Sequence, residues 1–192
     1  MNSKPFALKK LTEVFPLEYS PGAYPDEIID VLPYIFVSDV STNSTYTKMS
    51  IVLVCNQIIK RNVKIFIEER IKEDVFGGKK IEIKLYERYR FENKTIPEIK
   101  EIWEDYRDEL VDETKKNYLI LHLMLFVDCK SFEISAIDDG NPQGGVKIDI
   151  KVIGRDTYDE HKKTLENYIY EIFVKRFNLK QAIINIDLIK NN

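Results

Sequence analysis

Two acidic residues and a lysine around residue 150 have a spacing that could support metal-assisted cleavage of a phosphodiester. Asp139 precedes the sequence Asp149-Ile-Lys151, and a hairpin is predicted to join the two segments. Two carboxylates can hold a divalent metal ion that polarises a phosphate, while a lysine positions or activates water. Because side chains alternate along a strand, Asp149 and Lys151 are expected to share one face.

This arrangement resembles metal-dependent nucleases of the restriction-endonuclease type, which implies a catalytic role for Asp139, Asp149 and Lys151. Glu82-Ile-Lys84, with Asp74 upstream, is a second candidate of the same kind. The acid-x-Lys spacing also recurs elsewhere, at Glu92/Lys94, Glu98/Lys100, Glu113/Lys115, Asp128/Lys130 and Glu160/Lys162. A chain this rich in charged residues produces such pairs by chance. The nuclease is therefore the alternative hypothesis, and a solvated strand face with cross-strand ion pairs is the simpler interpretation.

Other catalytic signatures are missing from the sequence. It contains no phosphate-binding P-loop, no dinucleotide fingerprint and neither HExxH nor GxSxG. His122 and His161 are the only histidines. We expect His122 to lie in the core and His161 to be exposed. Cys55 and Cys129 are far apart and are expected to be buried or half-buried thiols. We therefore predict no cofactor and no metal, and an enzyme is the less favoured class.

The charge balance argues against nucleic acid as a partner. Lysine and arginine total 29, aspartate and glutamate total 32, and the net charge is -3. One local cluster could still contact nucleic acid by charge and stacking. It combines basic and aromatic residues, namely Lys79, Lys80, Lys84, Arg88 and Arg90 with Tyr86, Tyr89 and Phe91. The acidic residues Glu101, Asp105, Asp108 and Asp112 are interpreted as a solvated helix face.

The helix and strand patterns around these residues predict an α+β fold, with a single mixed or mainly antiparallel sheet and about three helices packed on it. Apolar spacing and capping signals predict helices over Val63–Val75, from Thr95 onward, and over Tyr158–Phe177. Strand patterns extend over Tyr34–Val37, Met49–Cys55, Ile81–Phe91, Tyr118–Val127, Phe132–Ile137, Val146–Ile153 and Ile183–Ile189. Tyr118–Val127 is predicted to be the most buried strand, because both of its faces are apolar.

The prolines near the start of the chain predict an extended N-terminal arm over residues 1–25, followed by one α+β domain over residues 26–192. The arm carries apolar residues that could pack on its own domain or on a neighbouring subunit. No signal peptide and no apolar run long enough for a membrane helix are visible. We therefore expect a cytoplasmic protein.

Contact with other polypeptide chains is the favoured function. The arm, the loop Asp138–Gly145 and the alternating strands Ile81–Phe91 and Ile183–Ile189 could all serve as contacts. The expected partners are other copies of the chain or other subunits of an assembly. The segment Met49–Gly78, a strand ending in Val54-Cys55-Asn56 followed by an amphipathic helix, resembles small connector or tail-terminator proteins of tailed phages. This resemblance implies a structural role in a virion, with no catalytic residue.

Overall fold

The computed structural model describes residues 8–17, 26–138 and 141–190. The chain divides into two compact units, Met1–Tyr89 and Arg90–Asn192. In the described residues, no helix has the length and apolar character needed to cross a membrane.

The first unit contains a mixed sheet of four strands in the order β1-β2-β3-β4. Its elements in chain order are β1 (Lys9–Lys10), α1 (Leu11–Val14), α2 (Asp26–Val31), a 3-10 turn (Leu32–Tyr34), β2 (Phe36–Thr42), β3 (Lys48–Cys55), α3 (Arg61–Arg70, continued as π-helical turns over Ile71–Val75) and β4 (Glu82–Tyr89). The first three strands pair antiparallel, and β4 pairs parallel to β3. A parallel neighbour requires a crossover, which α3 supplies.

The core of the first unit is mainly aliphatic. Alternate residues of β3 are buried on one face, and α3 buries Val63, Ile67 and Ile71 at a spacing of four. The helix ends at Gly77 and Gly78, whose φ angles of 57° and 72° are in the left-handed region. The Gly77 N–H donates to the carbonyl of Glu73 and the Gly78 N–H donates to the carbonyl of Lys72, so both glycines satisfy carbonyls at the end of the helix.

The second unit contains a mixed sheet of three strands in the order β5-β6-β7. Its elements are α4 (Ile96–Asn117), α5 (Leu119–His122, continued as π-helical turns over Leu123–Val127), β5 (Cys129–Asp138), β6 (Asn141–Ile153), α6 (Tyr158–Tyr170, continued over Glu171–Arg176) and β7 (Ala182–Ile189). The pair β5 and β6 forms an antiparallel hairpin, and β7 pairs parallel to β6.

The core of the second unit contains a cluster of aromatic rings. Trp103 of α4 stacks on Phe132 of β5 at 4.3 Å between ring centroids, and Phe173 lies 5.3 Å from Trp103. Phe177 contacts Phe173 edge-on. Helix α4 starts at a capping box, as predicted, where the Thr95 N–H donates to Glu98 Oε2 at 2.7 Å.

Two polar networks anchor the helices of the second unit. The Asp128 carboxylate accepts hydrogen bonds from Arg155 at 2.7 and 3.0 Å and from the Tyr158 hydroxyl at 2.5 Å. Arg176 of α6 donates to both carboxylate oxygens of Glu113 and to the Tyr106 hydroxyl. These contacts join segments that are distant in the sequence.

The prediction of a single sheet with about three helices is wrong. The described residues form two separate mixed sheets, of four and three strands, with six α-helices. Tyr118–Val127 is not a strand, because residues 119–127 are helical. An apolar run without clear periodicity fits a buried helix as well as a buried strand.

The predicted arm lies partly outside the described residues. Within it, residues 8–17 are part of the first unit, because β1 pairs with β2 and both Leu11 and Phe15 are buried. The division of residues 26–192 into one domain stays a prediction. The loop predicted over Asp138–Gly145 is shorter than expected, since β5 extends to Asp138 and β6 begins at Asn141.

Candidate functional site

The polar face of the second sheet carries the residues of the nuclease hypothesis. Asp149 and Lys151 lie two apart on β6 and therefore share a face, as the alternation predicted. Register places Glu133 of β5 and Asn185 of β7 beside Asp149. Asp139 lies outside the described residues. The structure therefore brings two of the three predicted residues to one face.

Neighbouring polar groups already surround the Asp149 carboxylate. Asn185 Nδ2 donates to Asp149 Oδ1 at 2.8 Å, and Lys147 Nζ lies 2.9 Å from Oδ2. The Asn185 hydrogen bond and, after it, Lys147 hold the pKa of Asp149 below its usual range. Both oxygens thus take part in contacts along the strand face, which is the simpler interpretation of acid-x-Lys.

The second acid-x-Lys candidate is divided between two elements. Glu82 and Lys84 lie on β4, whereas Asp74 lies in the last turns of the α3 helix and accepts a hydrogen bond from Arg70. Glu82 Oε2 pairs with Lys48 Nζ at 2.9 Å. Across the described part of the chain, no group of three or more His, Cys, Asp or Glu side chains is placed to hold a metal ion.

The two cysteines and His122 make contacts that indicate a structural role and not a catalytic one. Cys55 is buried and Cys129 half-buried, as predicted, and burial raises the pKa of both thiols. His122 lies on a helix rather than on the predicted strand, and its Nδ1 is 3.2 Å from Thr114 Oγ1. None of these contacts resembles a nucleophile activated by a base.

Strand β7 forms an outer edge of the second sheet. The carbonyls of Gln181 and Ile189 accept hydrogen bonds from the β6 side. In a parallel ladder, every second residue of a strand bonds to the same neighbouring strand. The odd-numbered residues of β7 therefore bond to β6, and the N–H and C=O groups of the even-numbered residues point away from β6. That side has no neighbouring strand within the described residues. Ile184, Ile186 and Leu188 therefore present N–H and C=O groups along an open edge.

The side chains of β7 are incompletely covered. Ile148, Ile150 and Val152 of β6 are buried, whereas their register neighbours on β7 remain partly exposed. Ile183, on the opposite face, is 47 % exposed. A groove of about 260 Å³ lies between α6 and this edge, lined by Lys162, Glu166, Ile184, Asn185 and Ile186. The edge thus combines available backbone groups with apolar surface.

The outer strand of the first sheet has a different surface. Half of the eight residues in β4 are charged, namely Glu82, Lys84, Glu87 and Arg88, whereas Asp187 is the single charged residue in β7. Charged side chains protect an edge strand from pairing, and an apolar edge promotes it. Sequence alternation identified both strands as possible edges, but the half-burial that distinguishes β7 depends on how α6 packs.

Comparison with protein families, curated proteins and solved structures finds no match for this chain.

Proposed function

We propose that this protein is an interaction module that assembles with other copies of itself, by pairing β7 with β7 of a second copy. The open, sparsely charged and half-covered edge of β7 carries this proposal. Strand addition satisfies the outward backbone groups and buries Ile184 and Ile186 further. The cytoplasmic location and the virion setting implied by the phage resemblance stay predictions, as does the nuclease alternative.

A second copy fits the chemistry of this edge. Antiparallel pairing about a two-fold axis at Asn185 sets Ile183 opposite Asp187 and Ile184 opposite Ile186, so no like charges face each other within β7. The same register sets Lys180 opposite Lys190 just outside the strand. Two three-stranded sheets would then continue as one sheet of six strands. A two-fold interface of this kind closes on itself and gives a dimer rather than a fibre.

The test compares one proline substitution at each outer strand. Ile186→Pro removes an outward N–H from β7 without removing a hydrogen bond to β6. Leu85→Pro is the matched control, because Leu85 is also half-buried and its N–H also points away from the neighbouring strand in β4. Sedimentation velocity over a range of concentrations should show a dimer for the wild type and Leu85→Pro, and a monomer for Ile186→Pro.

Hydrogen exchange of the wild type provides a second measurement that needs no substitution. Amides of Ile184, Ile186 and Leu188 should become more protected as concentration rises, while the outward amides of β5 should not change. A wild type that stays monomeric at every concentration contradicts the proposal. Equal protection of β5 would also contradict it, because that result indicates head-to-tail pairing of β5 with β7.

A further inference from the structure

The exposed face of β4 carries two cations on either side of an aromatic ring. Lys84, Tyr86 and Arg88 are each two residues apart, and all three are exposed. The Tyr86 side chain is 51 % exposed. Lys79 and Lys80 lie exposed just before the strand. From Lys84 to Arg88 the stripe extends about 13 Å at the usual rise of a strand.

Acidic residues cancel only part of this positive charge, because Glu82 is shared between Lys48 and Lys84. Glu82, on the same face, pairs with Lys48 at 2.9 Å and lies 3.5 Å from Lys84. Asp39 of β2 pairs in register with Val52 of β3, which in turn pairs with Tyr86. Asp39 is therefore two strands from Tyr86, a distance of about 10 Å. The first unit as a whole carries 13 basic and 12 acidic residues, and the second carries 16 and 20. The negative net charge of the chain therefore originates in the second unit.

The structure also separates the aromatic residues that the sequence grouped together. Tyr89 and Phe91 are buried, and the Tyr89 hydroxyl donates to Glu87 and accepts from the N–H of Ile59. Tyr86 remains as the ring that a ligand can reach. Its register neighbour on β3 is Val52, so the ring lies beside a partly apolar sheet surface.

We propose that this face of β4 binds single-stranded nucleic acid, with one base stacked on Tyr86 and phosphates bound by Lys84 and Arg88. Stacking on an aromatic ring between basic side chains is how single strands are bound without sequence preference. An acidic polypeptide would pair with Lys84 and Arg88 but would not need the exposed ring of Tyr86. This site is independent of the assembly proposed at β7.

The experiment measures fluorescence anisotropy of labelled oligothymidylate and oligouridylate, about 16 nucleotides long, with the full chain. Tyr86→Ala should weaken binding by about 5-fold or more, because stacking is lost. Tyr86→Phe should retain binding. Replacing both Lys84 and Arg88 by Gln should reduce the slope of log affinity against log salt by about 1.4, for two single-strand phosphate contacts. Comparing the two oligonucleotides distinguishes DNA from RNA as the better ligand.

Matched controls come from exposed residues of the second unit. Tyr170→Ala removes another exposed tyrosine, and replacing Lys115 and Lys116 by Gln removes the same charge. Neither variant should change the affinity or the salt slope. Absence of saturable binding by both oligonucleotides overturns the proposal, as does an affinity unaffected by Tyr86→Ala. Binding of labelled polyglutamate in preference to both oligonucleotides also overturns it, because the ligand would then be an acidic polypeptide.

Discussion

The two units share one order of elements and differ in what their last strand exposes. In both, an antiparallel pair of strands is followed by a helix and a strand parallel to the second: β2-β3-α3-β4 in the first unit and β5-β6-α6-β7 in the second. The last strand is the outer one in each sheet. It is charged in β4 and mostly apolar in β7, so the same topology presents two chemically different edges.

The cores of the two units differ as well. The first relies on aliphatic side chains between β3 and α3, whereas the second gathers Trp103, Phe132 and Phe173. Offset stacking adds to the burial of large rings. A substitution in either core should therefore show whether the two units unfold together.

The largest effect is expected from Trp103→Ala. Trp103 is 1 % exposed, and removing a buried aromatic side chain of this size costs about 3–5 kcal/mol of unfolding free energy. Circular dichroism during urea unfolding measures this loss. Hydrogen exchange should locate it in α4, α6 and the second sheet, with the protection of β3 and β4 retained.

Ile67→Ala, in the core of the first unit, is the reciprocal variant. It should cost about 2–5 kcal/mol and reduce protection in β3, α3 and β4. A uniform loss of protection across both units, in either variant, would show that the chain unfolds as one cooperative domain.

Local patterns predicted most elements correctly. The strand Met49–Cys55, the helix from Thr95 and the helix Tyr158–Phe177 all had a clear periodicity or a capping signal, and each is present with small shifts at its ends. The division into two sheets depends on which strands pair across long separations. No local pattern contains that information. The two units share an order of elements, but their sequences show no repeat that would indicate it.

The candidate surfaces were predictable only in part. The sequence correctly placed Asp149 and Lys151 on one face and grouped Lys84, Tyr86 and Arg88 in one basic and aromatic cluster. It did not distinguish exposed Tyr86 from buried Tyr89, because burial depends on the packing around each ring. The partial exposure of Ile184 and Ile186 was likewise not predictable, since it depends on how far α6 covers β7.

Acid should weaken the second unit more than the first. The pKa is lowered for Glu98, Asp128 and Asp149 in the second unit and for Glu82 in the first. The Thr95 backbone N–H and Lys94 lower the pKa of Glu98 to about 2, from an ordinary value of 4.5. A carboxylate with a lowered pKa stabilises the fold above its unfolded pKa and loses that contribution as pH falls through its folded pKa. Urea unfolding monitored by hydrogen exchange should show the greater loss in the second unit between about pH 4.5 and pH 2.

Asp128→Asn isolates the contribution of Asp128 to the loss of stability in acid. Asp128 is 7 % exposed, but half of the Arg155 side chain is exposed, so we expect a loss of about 1–2 kcal/mol at neutral pH. The same variant should lose less stability on acidification. Asp108→Asn, at an exposed acid of α4, is the control and should follow the wild type. A wild-type acid response in Asp128→Asn would contradict this assignment.

The smallest effect concerns how the helices begin. Helix α4 has a Thr95–Glu98 capping box, whereas α3 begins after Lys60, whose side chain makes no capping hydrogen bond. Thr95→Ala should cost about 1 kcal/mol. Lys60→Asp should instead stabilise the first unit by about 0.5 kcal/mol, because a carboxylate at position 60 can accept from the first-turn N–H groups and is favoured by the helix dipole.

Lys60→Ala distinguishes the two physical causes, because it removes the positive charge without supplying an acceptor. The Val63 N–H already donates to Asn62 Oδ1 at 2.9 Å, which is why the expected gain is at the low end for a cap. Thermal unfolding of the three Lys60 forms measures the difference. A gain for Lys60→Ala equal to that for Lys60→Asp would mean that charge repulsion, and not a missing acceptor, limits α3, and the contrast between the two helix starts would then be electrostatic.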